Sequence, residues 1–430
     1  MESLTATRRT MLQATGLGAA GWLSRAALAL ADDDEKPHRT KPARSLIVLW
    51  LAGGPSQLET FDPHPGTDIA GGTEAIETRT RGTLLAKGLE KTAEQMDSIS
   101  LVRSLVSKEG DHERATYLGK TGYRPSPVEV QPSIGAVFCH HYDDADLTTG
   151  GIPKIGIPRH VSILPSAWPA RGGFLGDQYD AFKTFDPKNK APDVTARVDE
   201  SRFLRRLEDL DVVERSFARG RAGAAAKTRH RDTIAAARAM MASEQLAAFD
   251  VNLEPAKVRD EYGDTPFGRG CLAARRLVQA GTRCVEITLN GWDTHLNNHA
   301  THKKLVATLD PALAALIADL KRNDLLDQTV VLCGGEFGRT PKINAGAGRD
   351  HWPHGFSMAL AGGGIRGGQT IGQTDPEGGK EVARPHRVAD VHATVLTALG
   401  INPLIELTTS VGRPVKLSDG KVIDGLLAEK

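Results

Sequence analysis

Carboxylate and imidazole side chains are concentrated between Gly291 and His354. They fall in three short blocks, G-W-D-T-H-L-N-N-H, G-E-F-G-R-T-P and D-H-W-P-H-G, and comprise Asp293, His295, His299, Glu336, His351 and His354. Their oxygen and nitrogen atoms are the ligands that hard or borderline divalent cations take in proteins. This set predicts a divalent metal site, with zinc as the first choice and manganese or calcium as alternatives.

Strand-like runs come directly before the first two blocks. The runs are Cys284–Leu289, in which apolar residues alternate with Glu286 and Thr288, and the continuous apolar run Val330–Cys333. Ligands of open α/β sheets gather at the carboxyl ends of the strands, so these two strand ends would bring the blocks together.

A purely structural interpretation of the same residues stays open. Asn297 and Asn298 are loop formers, which fits a hydrogen-bonded loop with surface histidines. Glu336 could cap a loop or pair with Arg339, and His354 could be exposed to solvent. The sequence Asp111-His112 adds a histidine that could serve as a ligand, a base or a nucleophile, although a lone loop histidine often has none of these roles.

The composition argues against nucleic acid as a partner, and the N-terminus predicts where the protein is located. The 430 residues carry a net charge of +1 and only 5% aromatic residues, so neither an electrostatic nor a stacking case for nucleic acid exists.

A twin arginine, Arg8-Arg9, precedes an apolar run and the small-residue sequence Ala29-Leu30-Ala31. Residues 1–31 are therefore predicted to be a twin-arginine signal peptide, with a periplasmic or extracellular destination. The run is rich in Gly and Ala, so no stable membrane span is expected after cleavage, although an uncleaved anchor stays possible.

The remaining chain is predicted to be one α/β domain. Residues 32–44 form a charged linker, and residues 45–430 form a single domain that begins with the buried strand Ser45–Leu51. Strands alternate with helical patterns, which favours a mostly parallel sheet. Residues 123–195 are rich in Pro, Gly and Asp and are expected to be loops over the active face, and residues 196–250 are expected to be a helical insertion.

Several motifs in this order resemble the DUF1501 family, over residues 40–425. They are L-A-G-G-P-S-Q-L-E-T-F-D-P, G-W-D-T-H, G-E-F-G-R-T-P, D-H-W-P-H-G-F-S-M-A-L-A-G-G-G-I-R-G-G and V-A-D-V-H-A-T-V-L-T-A-L-G. The family is largely uncharacterised, mostly twin-arginine-exported and abundant in planctomycete-type bacteria. It belongs to the alkaline phosphatase-like superfamily, with the sulfatases. The resemblance implies a three-layer α/β/α sandwich with a mostly parallel central sheet and a metal site at the strand ends.

The chain departs from that superfamily where the nucleophile is held. Metal-dependent relatives place an Asp after the first strand, where this chain has Gly53, and a Ser, Thr or formylglycine where this chain has His112. Their Asp-His pair resembles Glu336-Phe337, and their last histidine resembles His351. The first strand of DUF1501 members is commonly followed by Ser-His-x-Asp, where this chain reads S-Q-L-E.

The resemblance implies an exported, metal-dependent, sulfatase-like hydrolase of sulfate or phosphate esters, on an anionic ester such as a sulfated glycan. The predicted metal ligands are Asp293, His295, Glu336 and His351, with His299 and His354 as further candidates. Either a water attacks directly, or His112, oriented by Asp111, forms a covalent intermediate or acts as acid or base. Arg339 would bind the anion, because a planar guanidinium suits sulfate and phosphate. The alternative is a non-catalytic metal- or glycan-binding protein on a degenerate hydrolase fold.

Overall fold

A mostly parallel sheet of nine strands forms the centre of the molecule. The computed structural model describes residues 41–149, 156–221, 223, 230–380 and 382–428. The strands of this sheet are β1 Ser45–Ala52, β4 Ile99–Val106, β5 His160–Ile163, β6 Phe182–Thr184, β7 Cys284–Asn290, β8 Thr329–Gly334, β11 Phe356–Ala361, β12 Thr370–Ile371 and β13 His386–Arg387. Along the sheet they follow the order β12-β4-β11-β8-β1-β7-β5-β6, and β13 pairs with β4. Only β11, between β4 and β8, runs antiparallel to its neighbours in this sheet.

Strand β1 lies at the centre because its side chains are apolar on both faces. It pairs in parallel with β7 and with β8. Leu49 packs into one buried apolar cluster and Leu46 into another on the opposite face of the sheet. Helices cover both clusters, which gives the three-layer α/β/α arrangement expected from the sequence.

The remaining elements surround this sheet. The short hairpins are β2 Ala75–Glu77 with β3 Leu84–Ala86, β9 Gly338–Arg339 with β10 His351–Trp352, and β14 Glu406–Thr408 with β15 Pro414–Lys416. The α-helices are α1 Glu90–Ala93, α2 His112–Thr121, α3 Ile134–Thr149, α4 Glu200–Ala218, α5 His230–Met241, α6 Ala256–Glu261, α7 Pro266–Gln279, α8 Asn298–Arg322 and α9 Val388–Ala398. Helices α4 and α5 agree with the helical insertion predicted from the sequence.

The interpretation of residues 123–195 as loops was wrong in part. This stretch contains α3 and the two outermost strands on the β7 side of the sheet, β5 and β6. Strand β5 has four residues and β6 has three. Runs this short show too few alternations for their periodicity to be recognised among prolines and glycines.

Residues 42–427 form one compact unit. The end of the predicted linker belongs to it, because the Ala43 amide donates to the Ala398 carbonyl at 3.0 Å. The predicted signal peptide lies outside the described residues, so export stays a prediction. Within the described ranges, no helix is long and apolar enough to cross a membrane.

Helix α2 is anchored at its carboxyl end by a buried histidine of α9. His392 Nε2–H donates to the Gly119 carbonyl at 2.9 Å, and burial lowers the pKa of His392 to about 4. The position of α2 matters because its first residue is His112.

We expect His392 to make the fold sensitive to acid. Its folded-state pKa lies below the unfolded value of about 6.5, so the unfolded chain binds more protons and stability falls as the pH drops from about 6.5 to about 4. The loss attributable to this group should approach about 3 kcal/mol. Urea unfolding across this range should show a flatter pH dependence for His392→Gln than for wild type, whereas His386→Gln, at a more exposed position, should retain the wild-type slope. Equal slopes for His392→Gln and wild type would contradict the assignment.

Candidate metal centre

Four elements bring the predicted site residues to one edge of the sheet. Asp293 and His295 follow β7, and Glu336 follows β8. His112 is the first residue of α2, and His351 lies in β10, which pairs with β9. The carboxyl ends of two neighbours of β1 therefore meet the beginning of a helix and a short hairpin, at the edge where open α/β sheets bind their ligands.

Three histidines of this edge have their Nδ1 atoms held by oxygen. His112 Nδ1 lies 2.9 Å from Glu336 Oε1, and His295 Nδ1 lies 2.8 Å from Asp350 Oδ1. His351 Nδ1 lies 2.7 Å from the carbonyl of Gly110. Because carboxylates and carbonyls accept hydrogen bonds, each Nδ1 carries a proton, and in the neutral ring each Nε2 keeps a lone pair that could bind a cation.

The three Nε2 atoms converge on Asp293. His112 Nε2 lies 3.4 Å from Asp293 Oδ2, while His295 Nε2 and His351 Nε2 lie 3.2 and 3.3 Å from Oδ1. His112, Asp293 and His351 each offer one ligand atom, a ring nitrogen or a carboxylate oxygen, and these three atoms lie within 4.8 Å of one another. The Nε2 atoms of His295 and His351 are 3.0 Å apart.

This arrangement fits a divalent cation. Two imidazole lone pairs that face each other repel unless a cation or a proton lies between them. His112 Nε2 is buried without a hydrogen-bond partner among the described residues, as expected of an atom reserved for a ligand. Three imidazole nitrogens and one carboxylate form a donor set that suits zinc, and the second ring nitrogens are already oriented by oxygen.

The electrostatics favour a neutral His351 and an ionised Asp293, and they make His112 more basic. Burial lowers the pKa of His351, which keeps that ring neutral. The hydrogen bond to Glu336 raises the pKa of His112, making its Nε2 a stronger base. Burial opposes ionisation of Asp293, but the Arg339 hydrogen bond and charge outweigh it, so the pKa of Asp293 is lowered.

Arg339 holds the loops together and is buried away from any substrate anion. Its side chain is 0% exposed, and it donates from Nη2 to Asp293 Oδ1 at 2.6 Å. Nε donates to the Gly54 carbonyl, Nη1 to the Arg349 carbonyl, and Nη2 also to the Gly53 carbonyl. The expected role in anion binding is therefore replaced by a structural one: Arg339 fixes the metal-binding carboxylate.

Glu336 lies behind His112, where the sequence suggested a direct ligand. Its Oε1 accepts from His112 Nδ1 and from the Gly53 amide, both at 2.9 Å, and the side chain is 2% exposed. We therefore assign it to the orientation of His112. Gly53, at φ +114°, approaches so closely that an added Cβ would lie 2.4 Å from the Asp293 amide nitrogen. This crowding explains why no aspartate side chain fits at that position.

Three other predicted residues lie outside the convergent group. Asp111 caps α2 by accepting from the Arg114 amide at 3.1 Å, so His112 is oriented by Glu336 instead. His299 pairs with Glu59, with 3.3 Å between Nε2 and Oε1. His354 stacks edge-on against Trp352 at a ring-centroid distance of 4.9 Å. None of these contacts joins His299 or His354 to Asp293.

Several supporting groups were missed or misassigned in the sequence. Asp350 precedes His351 in the sequence but holds His295, and Asn344 Nδ2 donates to Asp350 at 3.1 Å. The Gly110 carbonyl holds His351, and a backbone atom leaves no residue signal in the sequence. Phe337 packs against His351 at a centroid distance of 4.5 Å, replacing the histidine that relatives were expected to carry there.

A family model described as "Protein of unknown function (DUF1501)" matches residues 43–427. No curated protein matches the chain. Similar solved structures include the PsFucS1 sulfatase from Pseudoalteromonas sp., which is 12% identical with a TM-score of 0.35 and aligns over 84% of this chain and 68% of its own. The periplasmic domain of EcEptC from Escherichia coli, in complex with Zn, is 9% identical with a TM-score of 0.39, over 92% and 94% of the two chains. The alkaline phosphatase from the Antarctic bacterium TAB5 is 13% identical with a TM-score of 0.35, over 84% and 99%. Similarity at this level says nothing about the activity of this chain.

We expect the protein to bind about one zinc per chain through this group. Elemental mass spectrometry of protein purified without chelator should find near-stoichiometric metal in wild type and almost none after Asp293→Ala combined with His351→Ala. His354→Ala should retain the metal, because His354 makes no contact with Asp293. An empty wild type, even after reloading with zinc, manganese or calcium, would rule out the site.

The role of Glu336 can be separated from that of a ligand. Replacing Glu336 with Gln should weaken zinc affinity by about tenfold to a hundredfold, because only the orientation of His112 is impaired. At saturating zinc the stoichiometry should equal that of wild type. A competition titration with a chromophoric chelator would measure both quantities, with Glu377→Gln on an exposed turn as the control. A saturated stoichiometry below wild type would show that Glu336 is a ligand after all.

Proposed function

Since the chain belongs to the DUF1501 family, whose function is unknown, we propose from the site itself that it is a metal-dependent, sulfatase-like hydrolase of sulfate or phosphate esters. Its twin-arginine motif supports export, and a sulfated or phosphorylated polysaccharide is the proposed substrate outside the cytoplasm. The coarse part of this proposal, a hydrolase-like α/β fold, is the architecture described above.

One observation carries the proposal: three oriented imidazoles direct their Nε2 atoms at one ionised carboxylate. Structural histidines normally have both ring nitrogens satisfied by the protein, whereas His112 Nε2 is buried without a hydrogen-bond partner among the described residues. The group is also accessible, since the side chains of Asp293 and His295 are 46% and 44% exposed. An ester could therefore reach the metal ligands from solvent.

The protein side chains have distinct roles in this proposal. When bound, a divalent cation would polarise the ester oxygen and offset the charge that develops on it. His112, His295, His351 and Asp293 hold the cation, while Glu336, Asp350 and the Gly110 carbonyl keep the imidazoles in the required tautomer. Arg339 keeps Asp293 ionised and in place.

Water is the proposed nucleophile. The position equivalent to the nucleophile of relatives is His112, and its Nδ1 is protonated and bonded to Glu336 while its Nε2 faces Asp293. A ring held in this way would act as a ligand, which disfavours the covalent role considered for His112. Direct attack by water does not require a hydroxyl or thiol at that position.

A non-catalytic metal- or glycan-binding protein is the second candidate function. The observation that favours it is the burial of Arg339, whose donors are taken by Asp293 and by backbone carbonyls. A site with metal ligands but without a free guanidinium could bind a glycan through the metal and leave its esters intact.

Turnover would distinguish the two functions. We expect the zinc-loaded full chain to hydrolyse p-nitrophenyl sulfate or a p-nitrophenyl phosphate ester with saturation, and Asp293→Ala to reduce kcat/KM by at least about a thousandfold, because the metal is lost. Activity should be measured alongside metal content, and His299→Ala, whose ring contacts Glu59, serves as the control that retains activity. Stoichiometric metal without turnover of any ester would transfer the assignment to the binding protein.

A further inference from the structure

The candidate metal centre is rich in negative charge. Asp293, Glu336 and Asp350 each contact one or more of the three histidines. Because an imidazole binds a metal in its neutral form, the three carboxylates would set the charge of the protein groups in a loaded site.

Arg339 is the single lysine or arginine in the described ion pairs of these carboxylates. It offsets one of the three negative charges, and its Nε, Nη1 and Nη2 atoms each donate to protein acceptors. Because its side chain is fully buried, Arg339 is not presented to the oxygens of a substrate anion.

The donor geometry admits one cation. Among the described residues, His112, Asp293 and His351 form the one group of three or more that could hold a metal, with His295 against the same carboxylate. One divalent cation would neutralise the two remaining negative charges. The loaded centre would then carry no net charge with which to compensate a strongly anionic ligand.

We infer that the centre selects esters with a single negative charge, meaning sulfate monoesters or phosphate diesters, over doubly charged phosphate monoesters. This inference rests on the proposed function and narrows its substrate class. A second negative charge on the ligand would be partly removed from water beside three carboxylates, whose repulsion would add to the cost of its lost hydration. A singly charged ester avoids that penalty while it still offers an oxygen to the cation.

Two ligands of matched shape test the selectivity without turnover. Benzenesulfonate carries one negative charge, and phenylphosphonate carries two at alkaline pH. Calorimetric titration of zinc-loaded wild type should show about tenfold tighter binding of benzenesulfonate, and added salt should reduce this ratio. Equal or tighter binding of phenylphosphonate, or two zinc ions per chain, would overturn the inference while leaving the hydrolase proposal standing.

A charge-changing variant should shift the same ratio. Asp350→Asn removes one negative charge while its amide oxygen can still accept from His295, so the preference for benzenesulfonate should decrease by about threefold or more. Asp327→Asn removes an exposed carboxylate that precedes the amino end of β8, at the opposite edge of the sheet, and should leave the ratio unchanged. Both variants are compared at equal zinc occupancy. An unaltered ratio in a fully loaded Asp350→Asn protein would argue against charge as the cause.

Hydrolysis distinguishes the two sources of a singly charged ester. Zinc-loaded protein should cleave either p-nitrophenyl sulfate or methyl p-nitrophenyl phosphate with a higher kcat/KM than p-nitrophenyl phosphate. The faster of the first two identifies the substrate as a sulfate monoester or a phosphate diester. Preference for p-nitrophenyl phosphate would reject the inference alone, whereas absence of hydrolysis for all three would reject the proposed function.

Discussion

The buried guanidinium of Arg339 is the interaction on which the candidate centre depends. It joins the carbonyls of Gly53 and Gly54 after β1, the carbonyl of Arg349 before β10, and the carboxylate of Asp293 after β7. A buried charge of this kind is tolerated only when its donors are satisfied and an opposite charge lies beside it. The same contacts therefore stabilise the cation, close the loops over the strand ends and position the carboxylate that the histidines face.

Around that contact, each imidazole is held by a different part of the chain. Glu336 approaches from β8, Asp350 from the start of β10 and the Gly110 carbonyl from the loop before α2. Helix α2 is in turn fixed to α9 by the buried His392. Such outer contacts set ring orientation and tautomer before any cation binds, so little reorganisation would be needed on metal binding. The electrostatic consequence is an acidic site, which is why the charge of the ligand is expected to decide what it accepts.

Much of the architecture could be predicted because the strands concerned are long and apolar. The run at β1 indicated a buried central strand, and its alternate side chains do pack into clusters on both faces of the sheet. Strands β5 and β6 were not predicted, because a strand of three or four residues is defined by the strand it pairs with and not by its own hydrophobic pattern.

The sequence by itself determined which donor types follow the strands, because a strand end presents the residues that come next in the chain. Asp293, His295 and Glu336 could be named on that ground, and His351 from the histidines of the block D-H-W-P-H-G. Only the tertiary structure decided their roles, since these depend on partners far away in the chain: His112 meets Glu336 across 224 positions, and His351 meets Gly110 across 241. The burial of Arg339 explains its hydrogen bond to Asp293, because a guanidinium without access to solvent must find its acceptors within the protein.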